Sequence, residues 1–431
     1  MNVFLQSLGC RVNEAELQRW AAGFLAAGCR VVPQPEQADL LVVNTCAVTQ
    51  EAVRKSRQMI RRARRASPTA KLVVSGCYAS LDPALRRDLP GIDLLVHNDS
   101  KDELVDRVRR ELIPQAMPAL AQRPGEAALF ARGRSRAFIK VQDGCRYRCS
   151  YCIVTVARGA ERSRPVEEIL DEIRALVAAG VKEVVLTGVH IGGYGSDSGE
   201  NLALLIRRVL RESGVSRLRL GSLEPWDLGE EFLELFDDPR MMPHLHLPLQ
   251  SGCDAVLRRM ARRTRTRGFA QLVKDARARV PDLNITTDII VGFPGETDAQ
   301  WRRGLAFIRE MGFAHVHIFP YSRREGTRAA SMPDPVPDPV RRARVGELDS
   351  LARSMRAEFL GRFCGRTLPV LIENAGRGYT PNYLPVRTPP TAALHGVNEV
   401  VEMRMRGISQ DANALIGEPA WTPALESAAA P

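Results

Sequence analysis

Three times in its first 77 residues this chain runs an apolar segment of strand length into a cysteine: "NVFLQSLGC", "DLLVVNTC" and "KLVVSGC". Helical patterns separate these runs, "EAELQRWAAGFLAAG" and the basic "EAVRKSRQMIRRARRA". A further strand pattern, "IDLLVHN", follows with its own helix. Apolar strands alternating with helices build a parallel sheet covered on both faces, because each crossover between parallel strands needs a helix. Residues 1–112 are therefore expected to form a doubly wound α/β domain. The C-terminal strand ends of such a sheet share one edge, where ligands bind. Cys10, Cys46 and Cys77 are thus placed to converge, with Asn13 and Asn44 in the same loops to orient them. A small buried residue at a strand end is the alternative for any one of them. Three at equivalent places favour a ligand set.

The segment "IPQAMPALAQRPGEAA", rich in Pro, Ala and Gly, reads as a linker over 113–134. A second series begins at "AFIKVQDG" and continues through "EVVLTG", "RLRLGS", "HLHLPLQ", "ITTDIIVGF" and "AHVHIFPYS". Six strands with helices between them predict a partial (βα)6 barrel over 135–362, with its chemistry in the loops at the strands' C-terminal ends. Beyond the long helical pattern "RRARVGELDSLARSMRAEFLGRF", the stretches "TLPVLIEN", "GYTPNYLPVRT" and "VNEVVEMRMRGIS" read as short strands of a small β-barrel over 363–423. Residues 424–431 read as a tail. No eighteen-residue apolar run occurs, and "MNVFLQSLGC" lacks the layout of a signal peptide, so a cytoplasmic protein with no membrane partner is expected.

Nine cysteines in 431 residues are too sparse for a disulfide scaffold, so clustered ones read as metal or redox sites. "DGCRYRCSYC" places Cys145, Cys149 and Cys152 on one loop. A closed zinc site wants four ligands, and the next cysteine is Cys253. Three thiolates suffice for a 4Fe-4S cluster with one iron left open to a nitrogen and oxygen ligand. Zinc or isolated core thiols are the alternatives. Cys29, Cys253 and Cys364 have no such company and are read as non-ligands.

The pattern C-x-x-x-C-x-aromatic-C behind a strand, opening a (βα) series, resembles the radical S-adenosylmethionine superfamily. The two trios in this order, with a small β-barrel behind them, resemble its methylthiotransferase family over nearly the whole chain, the last domain being similar to a TRAM domain. "RAFIKVQDGC", "NTCAVTQEAVRKSRQ", "LHLPLQSGCD", "TDIIVGFPGET" and "GYTPNYLPV" are most similar to the MtaB-type branch. The resemblance implies two 4Fe-4S clusters and S-adenosylmethionine. Cys145, Cys149 and Cys152 would hold the cluster that binds and cleaves the cofactor. Cys10, Cys46 and Cys77 would hold the one that carries sulfur. The implied reaction converts N6-threonylcarbamoyladenosine, just 3′ of the tRNA anticodon, to its 2-methylthio form, with an external electron donor. Sister branches act on isopentenyladenosine in tRNA or on an aspartate of a ribosomal protein. A non-catalytic RNA-binding metalloprotein is the alternative of another class. A monomer or weak dimer is expected.

Within that scheme Tyr151 would lie beside the cofactor's adenine. Gly188, with Gly192 and Gly193, would leave backbone bare for its methionyl group. Ser222, Glu224, Gln250, Ser251 and Arg324, all at strand ends, are further candidates for cofactor contact. Basic residues exceed acidic ones by eleven, which favours a polyanionic partner. The run Arg54–Arg65 holds seven Lys/Arg and no acid, and 258–267 holds six Arg. Arg61, Arg62, Arg262 and Arg263 are therefore candidate phosphate contacts. Tyr379 and Tyr383 either pack in the small barrel or stack on exposed bases. Thr155 and Val156 stand where the family usually has Pro-Tyr, and Thr264 stands where an aromatic is common; these differences bear on packing around base or cofactor.

Overall fold

The structure, a computed structural model, describes residues 1–112, 135–374, 376–389 and 396–420. The linker read at 113–134 and the tail at 424–431 lie outside the described residues.

The first domain is a five-stranded sheet of β1 (Asn2–Ser7), β2 (Arg30–Val31), β3 (Leu40–Thr45), β4 (Lys71–Gly76) and β5 (Leu94–Val96), in the order β2-β1-β3-β4-β5. Every pairing is parallel. Alternate residues of β3 feed opposite faces: Leu41 and Val43 pack into one core, Leu40 and Val42 into the other. Helices therefore cover both faces, as the continuous apolar strands require. The strand order reverses direction between β1 and β3, and the C-terminal edge there is the switch point where such sheets bind ligands.

The second domain has β6 (Arg136–Asp143), β8 (Glu183–Gly188) and β9 (Arg217–Leu220) in parallel, with the short β7 (Arg162–Ser163) antiparallel at the edge. A second parallel sheet holds β10 (His244–His246), β11 (Asn284–Val291) and β12 (His315–Pro320). Isolated bridges Leu218–Met241 and Ser222–His246 join the two sheets. The six parallel strands are those expected, so the partial barrel stands. "HLHLPLQ" contributes only three strand residues, because Pro243 and Pro248 flank them and cannot donate to a ladder. The helix Arg11–Ala26 of the first domain packs onto this unit, with Ala15, Phe138 and Val185 buried together.

The third unit is a closed barrel of β13 (Thr367–Asn374), β14 (Arg377–Tyr379), β15 (Pro385–Arg387), β16 (Val400–Ile408) and β17 (Leu415–Pro419). Two details correct the expectation. "GYTPNYLPVRT" is two strands around a turn, in which Thr380 Oγ1 accepts from the Leu384 amide at 2.9 Å. The strand "LIGEP" was not anticipated, since five residues containing Gly and Pro carry no period-two signal. Among the described residues no helix is long and apolar enough to cross a membrane.

Candidate active site

Cys46 and Cys77 follow directly on β3 and β4, and Cys10 lies three residues beyond the end of β1. Two glycines let their loops meet. Gly9 (φ 114°) precedes Cys10, and a Cβ there would lie 2.9 Å from the Cys46 Sγ. Gly76 (φ 102°) precedes Cys77, and a Cβ there would lie 2.2 Å from the Thr45 carbonyl. Only glycine takes these conformations at little cost. Asn13 ties the first loop to the second, its Nδ2 donating to the carbonyls of Leu8 (2.7 Å) and Thr45 (3.1 Å). Asn44 Nδ2 donates back to the Asn13 carbonyl at 3.1 Å. Burial pushes the Cys46 thiol up to about 12, and Cys10 and Cys77 nearby push the same way. Such thiols ionise at neutral pH when a cation binds them. The donor set fits a thiolate-ligated cluster.

The second trio repeats the device. Gly144 (φ 72°) precedes Cys145, and a Cβ there would overlap the Ala160 carbonyl at 1.8 Å. Ser150, between Cys149 and Cys152, anchors the loop. Its amide donates to the Met260 carbonyl (2.9 Å), its hydroxyl to that of Arg259 (2.9 Å), and its carbonyl accepts from the Ala329 amide (2.7 Å). Burial raises the Cys145 thiol to about 12 and that of Cys152 to about 11. Three mutually influencing thiols on one anchored loop fit a cluster with an open iron.

Arg262 corrects an expectation. It is buried, with Nη1 donating to Glu224 Oε1 at 2.9 Å and lying 3.8 Å from Cys149 Sγ, and Nη2 donating to the Pro248 carbonyl at 2.7 Å. Its guanidinium also lies over Trp226 at 4.6 Å. The helix Asp254–Arg259 ends just before it, and Ala261 (φ 55°) turns the chain inward. A run of six arginines is therefore not one solvated face: Arg262 is committed to Glu224 and the Cys149 loop, while Arg263 is exposed and donates to Tyr147 Oη at 2.9 Å. Glu224 is correspondingly held by Arg262. Tyr151 is half-buried beside Cys253 and Phe293. Gln250 takes φ 71°, its backbone bonded to both Asp288 and Ile290. Arg324 lies near Cys46 of the first domain, and its loop is stapled to both domains, by the Gln50 amide donating to Ser322 Oγ (3.0 Å) and by the Ala329 amide donating to the Ser150 carbonyl (2.7 Å). Arg61 and Arg62 are exposed on the helix Gln50–Ala66. Thr155 Oγ1 donates to the Tyr147 carbonyl at 2.9 Å, and Val156 is exposed.

One group beside Cys145 was not foreseen. His190 is buried with Nδ1 2.6 Å from Glu161 and Nε2 2.6 Å from Asp227. Burial works against the charged ring, yet Asp227 and Glu161 outweigh it and raise its pKa. Gly192 and Gly193 make room for this group, since a Cβ on either would fall 2.2 Å from Asp227 Oδ2 or 2.5 Å from His190 Nδ1. At Gly188 a Cβ would meet Ile191 at 2.6 Å. No spacing in the sequence ties residues 161, 190 and 227 together.

A cavity of about 990 Å³ occupies the lumen of the partial barrel. Cys10 of the first domain lines it together with Gly188 and Ser222 of the second. Tyr379 and Tyr383 belong to its wall from the small barrel, stacked at 4.9 Å with Arg136 over both rings. Tyr379 is 8% exposed. These rings are engaged with each other and with arginines in the wall of the cavity, the packed one of the two arrangements expected for them. The physical reason is the turn at Tyr383 (φ 65°), which directs its ring inward, where Arg11 Nη2 donates to its hydroxyl at 2.7 Å.

A buried ionic joint holds the two cysteine-bearing domains together. Arg158 Nη1 donates to Glu16 (3.0 Å) and Asp143 (2.8 Å), and Nη2 to Asn13 Oδ1 (2.8 Å). Lys101 and Lys140 complete it, 2.6 and 3.6 Å from Glu16. Burial opposes the Glu16 carboxylate, but Arg158 and Lys101 outweigh it and hold its pKa well below the usual range. Asn13 is three residues from Cys10 and Asp143 two from Cys145, so one guanidinium fixes both cysteine loops. Arg158→Met leaves two carboxylates short of a partner and is expected to cost about 3–5 kcal/mol, read as a lowered denaturant midpoint.

The Radical SAM superfamily matches residues 139–308, and the family described as uncharacterized protein family UPF0004 matches residues 2–97. Threonylcarbamoyladenosine tRNA methylthiotransferase MtaB of Bacillus subtilis is 37% identical over 404 residues, covering 89% of each chain. Its namesake in Thermotoga maritima is 37% identical over 378 residues, covering 86% of each. The tRNA-2-methylthio-N(6)-dimethylallyladenosine synthase of Cereibacter sphaeroides is 35% identical over 433 residues, covering 96% of this chain and 98% of the relative. Among solved structures, the radical S-adenosylmethionine methyltransferase TsrM from Kitasatospora setae superimposes with a TM-score of 0.57 at 17% identity, over 76% of this chain and 77% of that one. At that identity the likeness is one of fold.

Proposed function

Because this chain belongs to the radical S-adenosylmethionine methylthiotransferase family, we propose that it methylthiolates N6-threonylcarbamoyladenosine beside the tRNA anticodon. Cys145, Cys149 and Cys152 would hold one 4Fe-4S cluster and Cys10, Cys46 and Cys77 another. When bound, the two clusters supply reductive cleavage of S-adenosylmethionine and the sulfur that is transferred. The supporting observation is the shared chamber: Cys10 opens into the same cavity as Gly188 and Ser222 at the radical domain's strand ends. A base entering the lumen would lie within reach of both halves of the chemistry. The chain's own residues hold that arrangement. Ser150 anchors one cysteine loop, Asn13 and Asn44 the other, and Arg158 sets the two against each other. The small barrel encloses one side of the lumen, which would limit the entry of water.

In this reading residues 1–112 are the methylthiotransferase domain, 135–362 the radical core and 363–423 a TRAM domain. The protein acts in the cytoplasm with an external electron donor, as a monomer or weak dimer. Arg61, Arg62 and Arg263 remain candidate phosphate contacts, since all three are exposed. A second reading, action on isopentenyladenosine, is favoured by the 35% identity to the Cereibacter sphaeroides relative. Nucleoside mass spectrometry of tRNA from a deletion strain separates the two. Loss of 2-methylthio-threonylcarbamoyladenosine, with the isopentenyl derivative untouched, is the expected result; the reverse pattern sinks the first reading.

A further inference from the structure

The lumen is unusual in its polarity. Among the described residues five arginines and four histidines line it, against two aspartates. One aspartate, Asp411, is already held by Arg387 at 2.6 Å. The other, Asp288, faces His246 at 3.2 Å. Three of the arginines hydrogen-bond only to neutral groups among the described residues: Arg377, which donates to Tyr379 Oη, together with Arg11 and with Arg356, whose charge Asp411 also favours. Arg11 donates to Tyr383 Oη at 2.7 Å. Arg356 donates to His315 Nδ1 at 2.8 Å and to the Asn413 carbonyl at 2.5 Å. Because Arg356 donates to Nδ1, His315 is neutral with its proton on Nε2, a further donor. His315 meets the His317 ring edge-on at 4.5 Å, Arg11 and Arg356 line the same cavity, and both lower the pKa of His317. Deeper in the wall, Arg219, His244 and Asn284 each carry a buried polar atom with no hydrogen-bond partner among the described residues.

Cations held among neutral donors in a half-enclosed chamber leave a deficit of negative charge. An apolar substituent would cover them without pairing them, which is costly. An anionic one would gain charge-assisted hydrogen bonds. A cavity of about 990 Å³ also lies at the upper end of the ~300–1,000 Å³ usual for ligand sites, ample for a nucleoside with a branched substituent.

We propose that this lumen is a receptor for a carboxylate on the N6 substituent of the target adenosine, with Arg356 as the residue that distinguishes an anionic substituent from an apolar one. The proposal rests on the tRNA reading above and deepens it: the threonylcarbamoyl group carries such a carboxylate and an isopentenyl group does not. Arg11 and the His317 ring complete the contact. Arg356 acts on substrate binding and takes no part in the radical chemistry.

The test uses anaerobically reconstituted holoenzyme and three anticodon stem-loop RNAs, carrying threonylcarbamoyladenosine, its methyl ester, or isopentenyladenosine. Fluorescence anisotropy should show the acid bound at least ~10-fold tighter than the ester, in keeping with a charge pair in a partly dry site. Arg356→Met should erase that preference, and Arg356→Lys should keep part of it. Equal wild-type binding of acid and ester, or a preference that survives Arg356→Met, overturns the proposal. The ester comparison on the wild type stands even if the Met variant does not fold. Wild-type enzyme that methylthiolates the threonylcarbamoyl RNA yet ignores the carboxylate sinks this inference alone. Enzyme that methylthiolates only the isopentenyl RNA sinks the substrate reading beneath it.

Discussion

Replacing Cys149 with alanine is expected to remove one cluster and leave the other, so that iron falls from about eight to about four per chain, the content of one cysteine-bound 4Fe-4S centre. The fold should survive. Cys149 is only half-buried, and Ser150 beside it keeps its three anchoring hydrogen bonds. Arg262 loses a sulfur neighbour at 3.8 Å but retains Glu224 and the Pro248 carbonyl. Formation of deoxyadenosine from S-adenosylmethionine under reduction should fall to background, a loss of several orders of magnitude. Iron and sulfide analysis with single-turnover assays would read both effects. Stoichiometric zinc without labile sulfide in the wild type would contradict the two-cluster assignment outright.

The Cys46→Ala variant should divide the chemistry. Cys46 sits at the switch edge of the first sheet, behind the Ser56 hydroxyl that accepts from its amide at 3.1 Å. Loss of one sulfur there costs about 1 kcal/mol or little more, as for a small buried deletion, so the second domain is untouched. The variant should still yield deoxyadenosine but form no methylthiolated nucleoside. Cleavage without transfer is an outcome that a merely destabilised protein would not give. Continued methylthiolation would show that the first trio is not the sulfur-carrying site.

Arginine runs illustrate how far residue type alone reaches. Net charge pointed to a polyanion, and Arg61 and Arg62 do lie on an exposed helix face. Arg262 carries the same charge one residue from Arg263, yet one turn of backbone sends it into the protein to hold Glu224 and approach Cys149. The tyrosines of "GYTPNYLPV" followed suit: their stacking partners proved to be each other and the arginines of another domain.

The sequence by itself determined the layer architecture and both cysteine trios. Strand and helix periods are local, and a cysteine directly behind an apolar strand inherits its position from the strand, so the sheet edge could be read before any contact was known. The glycines at 9, 76 and 144 lie one residue before a cysteine of a trio and are equally local. Only the tertiary structure decided what faces the chamber. The Glu161–His190–Asp227 group, the joint of Glu16, Lys101, Lys140, Asp143 and Arg158, and the meeting of Arg11 with Arg356 about His317 all join residues tens to hundreds of positions apart. The first is set by how the loops of one partial barrel close on each other and the other two by how the first domain docks on the second; a buried charge has no sequence period to announce its partner. Docking also decides whether a given arginine meets solvent phosphate, a buried carboxylate or an incoming substrate, because the free energy of a charge depends on what surrounds it.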